Sequence, residues 1–146
     1  MKILNYIRNI FLYLAALLLL VSCSQQPQTG PVEVKFDRDT CLHCGMAVSD
    51  RHYAAQVRGG PKNQAYKFDD FGCAISWLNK QPWANDPSTE IWVADFHDGI
   101  WLDARSARYL GGKTTPMAYG FGASKEALKG SISFDEARKK VLAINN

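Results

Sequence analysis

The spacing of apolar positions changes several times along this chain. Residues 11–21, FLYLAALLLLV, form an unbroken apolar run. It is too short to cross a bilayer comfortably. A polar stretch, SQQPQTGP, follows the next cysteine. Beyond about Val34 the runs become short and mixed. HYAAQV before Gly59, EIWVADF from Glu90 to Phe96, and IWLDARSARYL before Gly111 read as strands. FGCAISWL places Phe71, Ile75 and Leu78 at i, i+4 and i+7, one face of a helix that Asp70 can cap. SISFDEARKKVLAINN predicts a short strand at Ile132–Phe134. A helix follows it, capped by Ser133 or Asp135, with Ala137, Val141 and Leu142 facing inward.

Two of these stretches resemble each other. RGGPKNQAYKFDDFGCAISWLNK, from Arg58 to Lys80, and LGGKTTPMAYGFGASKEALKG, from Leu110 to Gly130, share a GG turn, then AY, then FG. In each, a leucine lies seven positions after the phenylalanine, Phe71 to Leu78 and Phe121 to Leu128, as in a helix. The Gly pairs suit hairpin loops. The expected fold is α+β, two small related ββα(β) units packed together. The units run over 34–89 and 90–146, and each needs the other's apolar surface to complete a core. Their gaps differ by two residues, so the similarity is degenerate.

The amino end indicates a compartment. MKILNYIRNI carries Lys2 and Arg8 and no acid. A basic start, an apolar run and small residues at its end make a secretory signal. LVSC resembles the bacterial lipobox, which implies cleavage after residue 22 and lipidation of Cys23. Ser24, as a residue other than Asp, then favours the outer membrane. Residues 23–33 form a polar, Pro- and Gly-containing tether. The formal charge of +3 includes Lys2 and Arg8, so the remainder is near neutral. With no basic stripe, nucleic acid is not an expected partner.

The candidate chemistry lies in the cysteines. The chain has four: Cys23, Cys41, Cys44 and Cys73. With Cys23 lipidated, three remain, a count that a purely structural disulfide framework rarely leaves. Either Cys41 and Cys44 pair, or the thiols hold a metal. Structural zinc wants four ligands, and CLHC lacks a matching second pair. Cys73 with His43, His52 or His97 could supply one, but the spacing is not finger-like. A redox CxxC wants a helix starting at its first cysteine, and the FDRDT approach offers no such start. Cys73 falls in the first turn of its expected helix, where the dipole lowers a thiol pKa; otherwise it is a small buried apolar residue. Met46 directly follows the CxxCG block. Met117 sits among Pro116, Gly120 and Gly122, and is either a core filler or a thioether ligand. Thiolate and thioether donors together select Cu(I) over zinc. There is no Gly-x-Ser-x-Gly elbow, no His-Glu-x-x-His and no phosphate-binding glycine loop, which leaves hydrolases without support.

Taken together, CLHCGM after a lipobox, then KFDDFGCAISW, then TPMAYGFGASKEAL, resemble the NosL family, the nitrous-oxide reductase accessory lipoproteins. The resemblance covers the chain from about Val34. It departs in ending at VLAINN, without the His-rich tail of some members. It implies a non-enzymatic, periplasm-facing copper chaperone with two related ββα-containing units. It also implies delivery of Cu(I) to the copper centres of nitrous-oxide reductase, alongside an ABC-type membrane complex. Carried onto this sequence, the soft-donor positions are Met46 and Met117 as thioethers, with Cys41 or Cys44 as thiolate; the place of Cys73 in its helix separately makes it a third or alternative ligand.

Overall fold

The computed structural model describes residues 1, 3, 5, 7–10 and 28–144. The apolar run, the lipobox with Cys23, and Ser24 lie outside the described residues. Among the described residues, no helix is long and apolar enough to cross a membrane.

The fold is α+β. Strand β1 (Ala55–Gly59) turns through residues 60–63 into β2 (Gln64–Phe68), paired from Gly59↔Gln64 to Ala55↔Phe68. Asn63 N–H closes the turn on the Gly60 carbonyl at 2.9 Å. Helix α1 (Phe71–Leu78) follows, and Asp70 caps it by accepting from Gly72 N at 2.9 Å, as expected. β3 (Glu90–Ala94) then returns to pair with β1 on the side away from β2. β4 (Trp101–Asp103) pairs with β3, giving an antiparallel sheet of order β2-β1-β3-β4. EIWVADF is thus a strand, and its hydrogen-bonded neighbour is the first hairpin.

The expected strand run IWLDARSARYL breaks in the middle. The Asp103 carboxylate accepts from the N–H groups of Arg105 and Ser106, at 2.8 and 3.1 Å, and this side-chain turn ends β4. β5 (Arg108–Leu110) starts a separate two-stranded sheet with β6 (Gly122–Ser124). The second GG pair lies in their connection, as the hairpin reading requires. The helix expected over Phe121 to Leu128 does not form there, because residues 122–124 are held as a strand. Tyr109 pairs with Ala123, Phe96 N–H donates to Ala123 O, and Asp95 accepts from Lys125 N. Gly120 and Gly122 give that stretch little helix propensity to oppose these bonds. The second helix is α2 (Phe134–Ile144). Ser133 and Glu136 form a reciprocal capping box at its start, and Ala137 and Val141 are buried.

α1 is the centre of the packing. Seven of its residues are buried, on both its faces, between the sheet and α2. Phe71 meets Tyr109 at 4.5 Å and Phe134 at 6.2 Å between ring centroids. The fully buried Tyr109 satisfies its hydroxyl on the Ala104 carbonyl at 2.7 Å.

The other face of the sheet carries a strap. Gln56 and Arg58 point away from α1 yet are almost fully buried, because residues 28–34 cross over them. Gln56 grips Val32 twice, accepting from its N–H and donating to its carbonyl, both at 2.9 Å. Arg58 Nε donates to Gly30 O at 3.1 Å, Glu90 accepts from Gly30 N at 2.7 Å, and Asn63 donates to Gln28 O at 2.7 Å. Side chains here do the work of a missing strand partner. Residues 28–33, the described part of the expected tether, therefore lie fixed on the sheet.

Candidate metal centre

The CLHCGM loop docks on the free edge of β2. Leu42 N–H donates to Lys67 O at 3.1 Å, and the Lys67 ammonium reaches Asp39 at 2.6 Å. The loop closes on itself through Gly45 N–H to Cys41 O at 2.9 Å and Cys41 N–H to Met46 O at 2.8 Å. Gly45 turns the chain at φ 79°, a value glycine adopts without strain. Residues 42–44 form a turn and no helix begins at Cys41, as the sequence implied.

This loop brings Cys41 and Cys44 to the start of α1, where Cys73 and Asp69 wait. One ligand atom from each of Cys41, Cys44, Cys73 and Asp69 lies within 4.8 Å of every other. All three cysteines are free thiols. The Cys44 thiol donates to the Asp69 carboxylate, 3.5 and 3.6 Å from its two oxygens. Cys41, Cys73 and Asp69 are buried, while Cys44 is half-buried. The cluster is a closed-backed pocket whose open side is Cys44.

The three thiols are electrostatically unlike. A hydrogen bond from Cys73 favours the Cys41 thiolate and, helped by the Cys44 backbone N–H, overcomes burial, lowering the Cys41 pKa to about 6. Burial, followed by the neighbouring Cys41 and Asp69 charges, pushes Cys44 up to about 11. Cys73 is driven up too, first because its hydrogen bond to Cys41 keeps the proton, then by burial. The helix-dipole expectation for Cys73 is thus corrected. Cys73 is the donor of the pair, so the anionic character resides on Cys41.

Asp69 is the residue that sequence reasoning passed over. The same FDDFGC stretch supplied Asp70 as the helix cap, and nothing in its periodicity separates the two carboxylates. The signal available was spacing, with Asp69 four residues before Cys73 and just outside the helix.

Of the two methionines, Met46 has its side chain 53% exposed, at the rim of the loop. Met117 is half-buried against the core, and its position is set by Asp70. That carboxylate accepts from Thr115 Oγ1 at 2.6 Å and from Met117 N at 3.1 Å while it caps α1. The adjacent acids therefore divide the labour: Asp69 joins the thiols, and Asp70 holds the methionine loop over the same helix end. Among the described residues, no histidine belongs to the cluster. His52 Nδ1 is 3.2 Å from Phe96 O, and the His97 ring lies tilted against that of Phe96 with centroids 3.9 Å apart. His43, inside the CxxC loop, has its pKa lowered by burial and then by Lys80.

No protein-family model matches the chain, and no curated protein does. Among solved structures, the chain is similar to the crystal structure of the copper chaperone NosL from Shewanella denitrificans. The two are 16% identical, over 80% of this chain and 88% of that one, with a TM-score of 0.49. At that distance, function must be read from this chain's own residues.

Proposed function

We propose that the chain is a non-catalytic carrier that binds Cu(I) through Cys41, Cys44 and Cys73. The observation that carries this reading is the convergence of three free sulfur donors at the end of one helix. Soft thiolates in a small, mostly buried set suit Cu(I), which accepts two or three such ligands. The half-buried Cys44 leaves an open side for loading and release. Met46 on the rim and Met117 on the adjoining loop are thioether donors for the same cargo. They carry no proton to lose and form no disulfide outside the cytoplasm.

The finer reading is supported by the sequence blocks CLHCGM and TPMAYGFGAS with the LVSC motif. It makes the chain a lipid-anchored protein on the periplasmic face of a bacterial membrane. Its acceptor is then apo nitrous-oxide reductase, together with an ABC-type maturation complex.

One observation favours a second reading. Asp69 completes a four-donor set with the thiols, which structural zinc would accept. A thiol-disulfide role fits less well. The low-pKa thiol, Cys41, is 1% exposed, while the accessible Cys44 is held protonated, the reverse of what a nucleophilic CxxC needs.

The deciding experiment is an anaerobic titration of reduced protein lacking residues 1–23, in competition with a chromophoric Cu(I) chelator and run in parallel with zinc. Tight one-to-one Cu(I) binding that is lost in Cys44→Ser and Cys73→Ser is expected. Tight zinc binding with feeble Cu(I) binding would overturn the carrier reading in favour of a zinc-stapled fold.

A further inference from the structure

We propose that the tip of the β1–β2 hairpin, residues 60–63, faces the lipid surface, and that the strap holds the thiol cluster at the opposite pole of the domain. The inference rests on the lipid anchor at Cys23 that the proposed function includes.

The direction follows from the order of contacts along the strap. Gln28 meets Asn63 in the hairpin turn, Gly30 meets Arg58 and Glu90, and Val32 meets Gln56. The chain therefore enters at the turn and runs toward the other end of the sheet. That other end carries the cluster, because Asp69 follows Phe68, the residue paired with Ala55 farthest from the turn. Two five-residue strands separate the poles, about 17 Å at ~3.3 Å per residue.

Chain length turns this direction into an orientation. Gln28 lies five positions after Cys23, a span of at most about 18 Å when fully drawn out. Bringing the thiol pole to the bilayer would take that whole length just to pass back along the hairpin. Were the strap free as far as Val34, the leash would be eleven residues, at most about 40 Å, and either pole could touch the membrane. The strap is what removes that freedom.

The tip suits the contact. Pro61, Lys62 and Asn63 are exposed, with Lys62 a cation for an anionic headgroup. The Trp83 ring packs beneath the turn, so near Gly59 that an added Cβ would come within 2.8 Å of it. The thiol cluster then faces the aqueous compartment, open to a partner approaching from there.

The test uses the processed, lipidated protein, from Cys23 on, in nanodiscs of phosphatidylethanolamine and phosphatidylglycerol, a few per cent of the lipid carrying a headgroup gadolinium chelate. Backbone amide relaxation should be enhanced severalfold more at Lys62 and Asn63 than at Leu42 and Gly45. Equal enhancement, or a larger effect at the cysteine loop, overturns the orientation. A six-residue Gly-Ser segment inserted after Ser24 restores the longer leash without touching any strap contact, and should erase the gradient while Cu(I) affinity stays unchanged. A gradient that survives this variant overturns the short leash as its cause. Vesicle flotation separates the two levels. Protein that fails to float sinks the anchor and this proposal together, while protein that floats without a gradient sinks this proposal alone.

Discussion

Tyr119 lies across Gly72 so closely that a Cβ at Gly72 would sit 1.9 Å from the ring's Cγ. The contact joins the first turn of α1, one residue before Cys73, to the loop that carries Met117. Asp70 bonds the same loop from below, through Thr115 and Met117. The methionine loop is therefore built onto the metal-site helix.

Gly72→Ala should displace that loop. Because the ring cannot yield by 2 Å in place, the cost is that of an overpacked site, about 1–3 kcal/mol. Thermal unfolding would read the loss, and Cu(I) affinity should fall by the same factor as in Met117→Ala. A variant of wild-type stability and affinity would show that the loop is loosely seated.

The methionines should differ in their effects. Met46→Ala changes an exposed side chain and is expected to leave stability within about 0.5 kcal/mol while weakening Cu(I) binding. Met117→Ala truncates a half-buried side chain as well, so about 1–2 kcal/mol of stability should be lost with the affinity. Chelator competition and denaturant unfolding on the two variants separate ligation from packing. Unchanged affinity in either removes that sulfur from the site.

One thiolate should be present near neutral pH, on Cys41. Thiolate absorbance in the metal-free protein should rise with a midpoint of about 6 and account for one of the three thiols. Cys73→Ala removes the hydrogen bond that stabilises the anion, so the midpoint should move up. Since the folded pKa is depressed, the stability Cys41 contributes is present in full above the unfolded thiol value. It declines as pH falls toward about 6, and is gone below it. A midpoint near that of a free thiol would refute the Cys73–Cys41 pairing.

Metal loading should release protons, because Cys44 and Cys73 hold theirs in the metal-free state. About two per Cu(I) are expected at neutral pH from a weakly buffered indicator assay. Asp69→Asn keeps the shape while removing a charge that raises Cys44. It should depress zinc affinity more than Cu(I) affinity, since the carboxylate is the harder donor. Equal losses would make Asp69 a positioning residue for Cys44 and not a ligand.

Much of this was legible in the chain. The 3.6-residue period and Asp70 marked α1, and the Ser133–Glu136 box marked α2. Alternation and the GG pairs marked the first hairpin, and in the second they marked β5 and the connection, while the return strand formed inside the stretch read as helix. The cysteines pointed to metal chemistry by their types, and Cys41, Cys44 and Cys73 do converge with Asp69. These signals are local, carried by residues a turn or a strand apart. The failed helix at Phe121–Leu128 was local too, and there it misled. Its spacing fits a helix, but Tyr109, Phe96 and Asp95 hold its backbone extended, and Gly120 and Gly122 leave little helix propensity to resist these three distant partners.

Tertiary structure alone decided what meets what. Cys44 and Asp69 are 25 residues apart, and Asp70 and Met117 are 47 apart. No periodicity links positions at such separations. Their meeting depends on β2 carrying the CLHCGM loop on its edge and on β5 and β6 delivering the methionine loop to α1. The same applies to acidity. The sequence placed Cys73 at a helix start, where a thiol is ordinarily acidified, and only the arrangement of the three sulfurs gave that anion to Cys41. The strap is the last case. SQQPQTGP reads as free chain because its polarity is a local property, whereas its described part, from Gln28 on, is held by Gln56, Arg58, Glu90 and Asn63, which come from three separate segments of the fold.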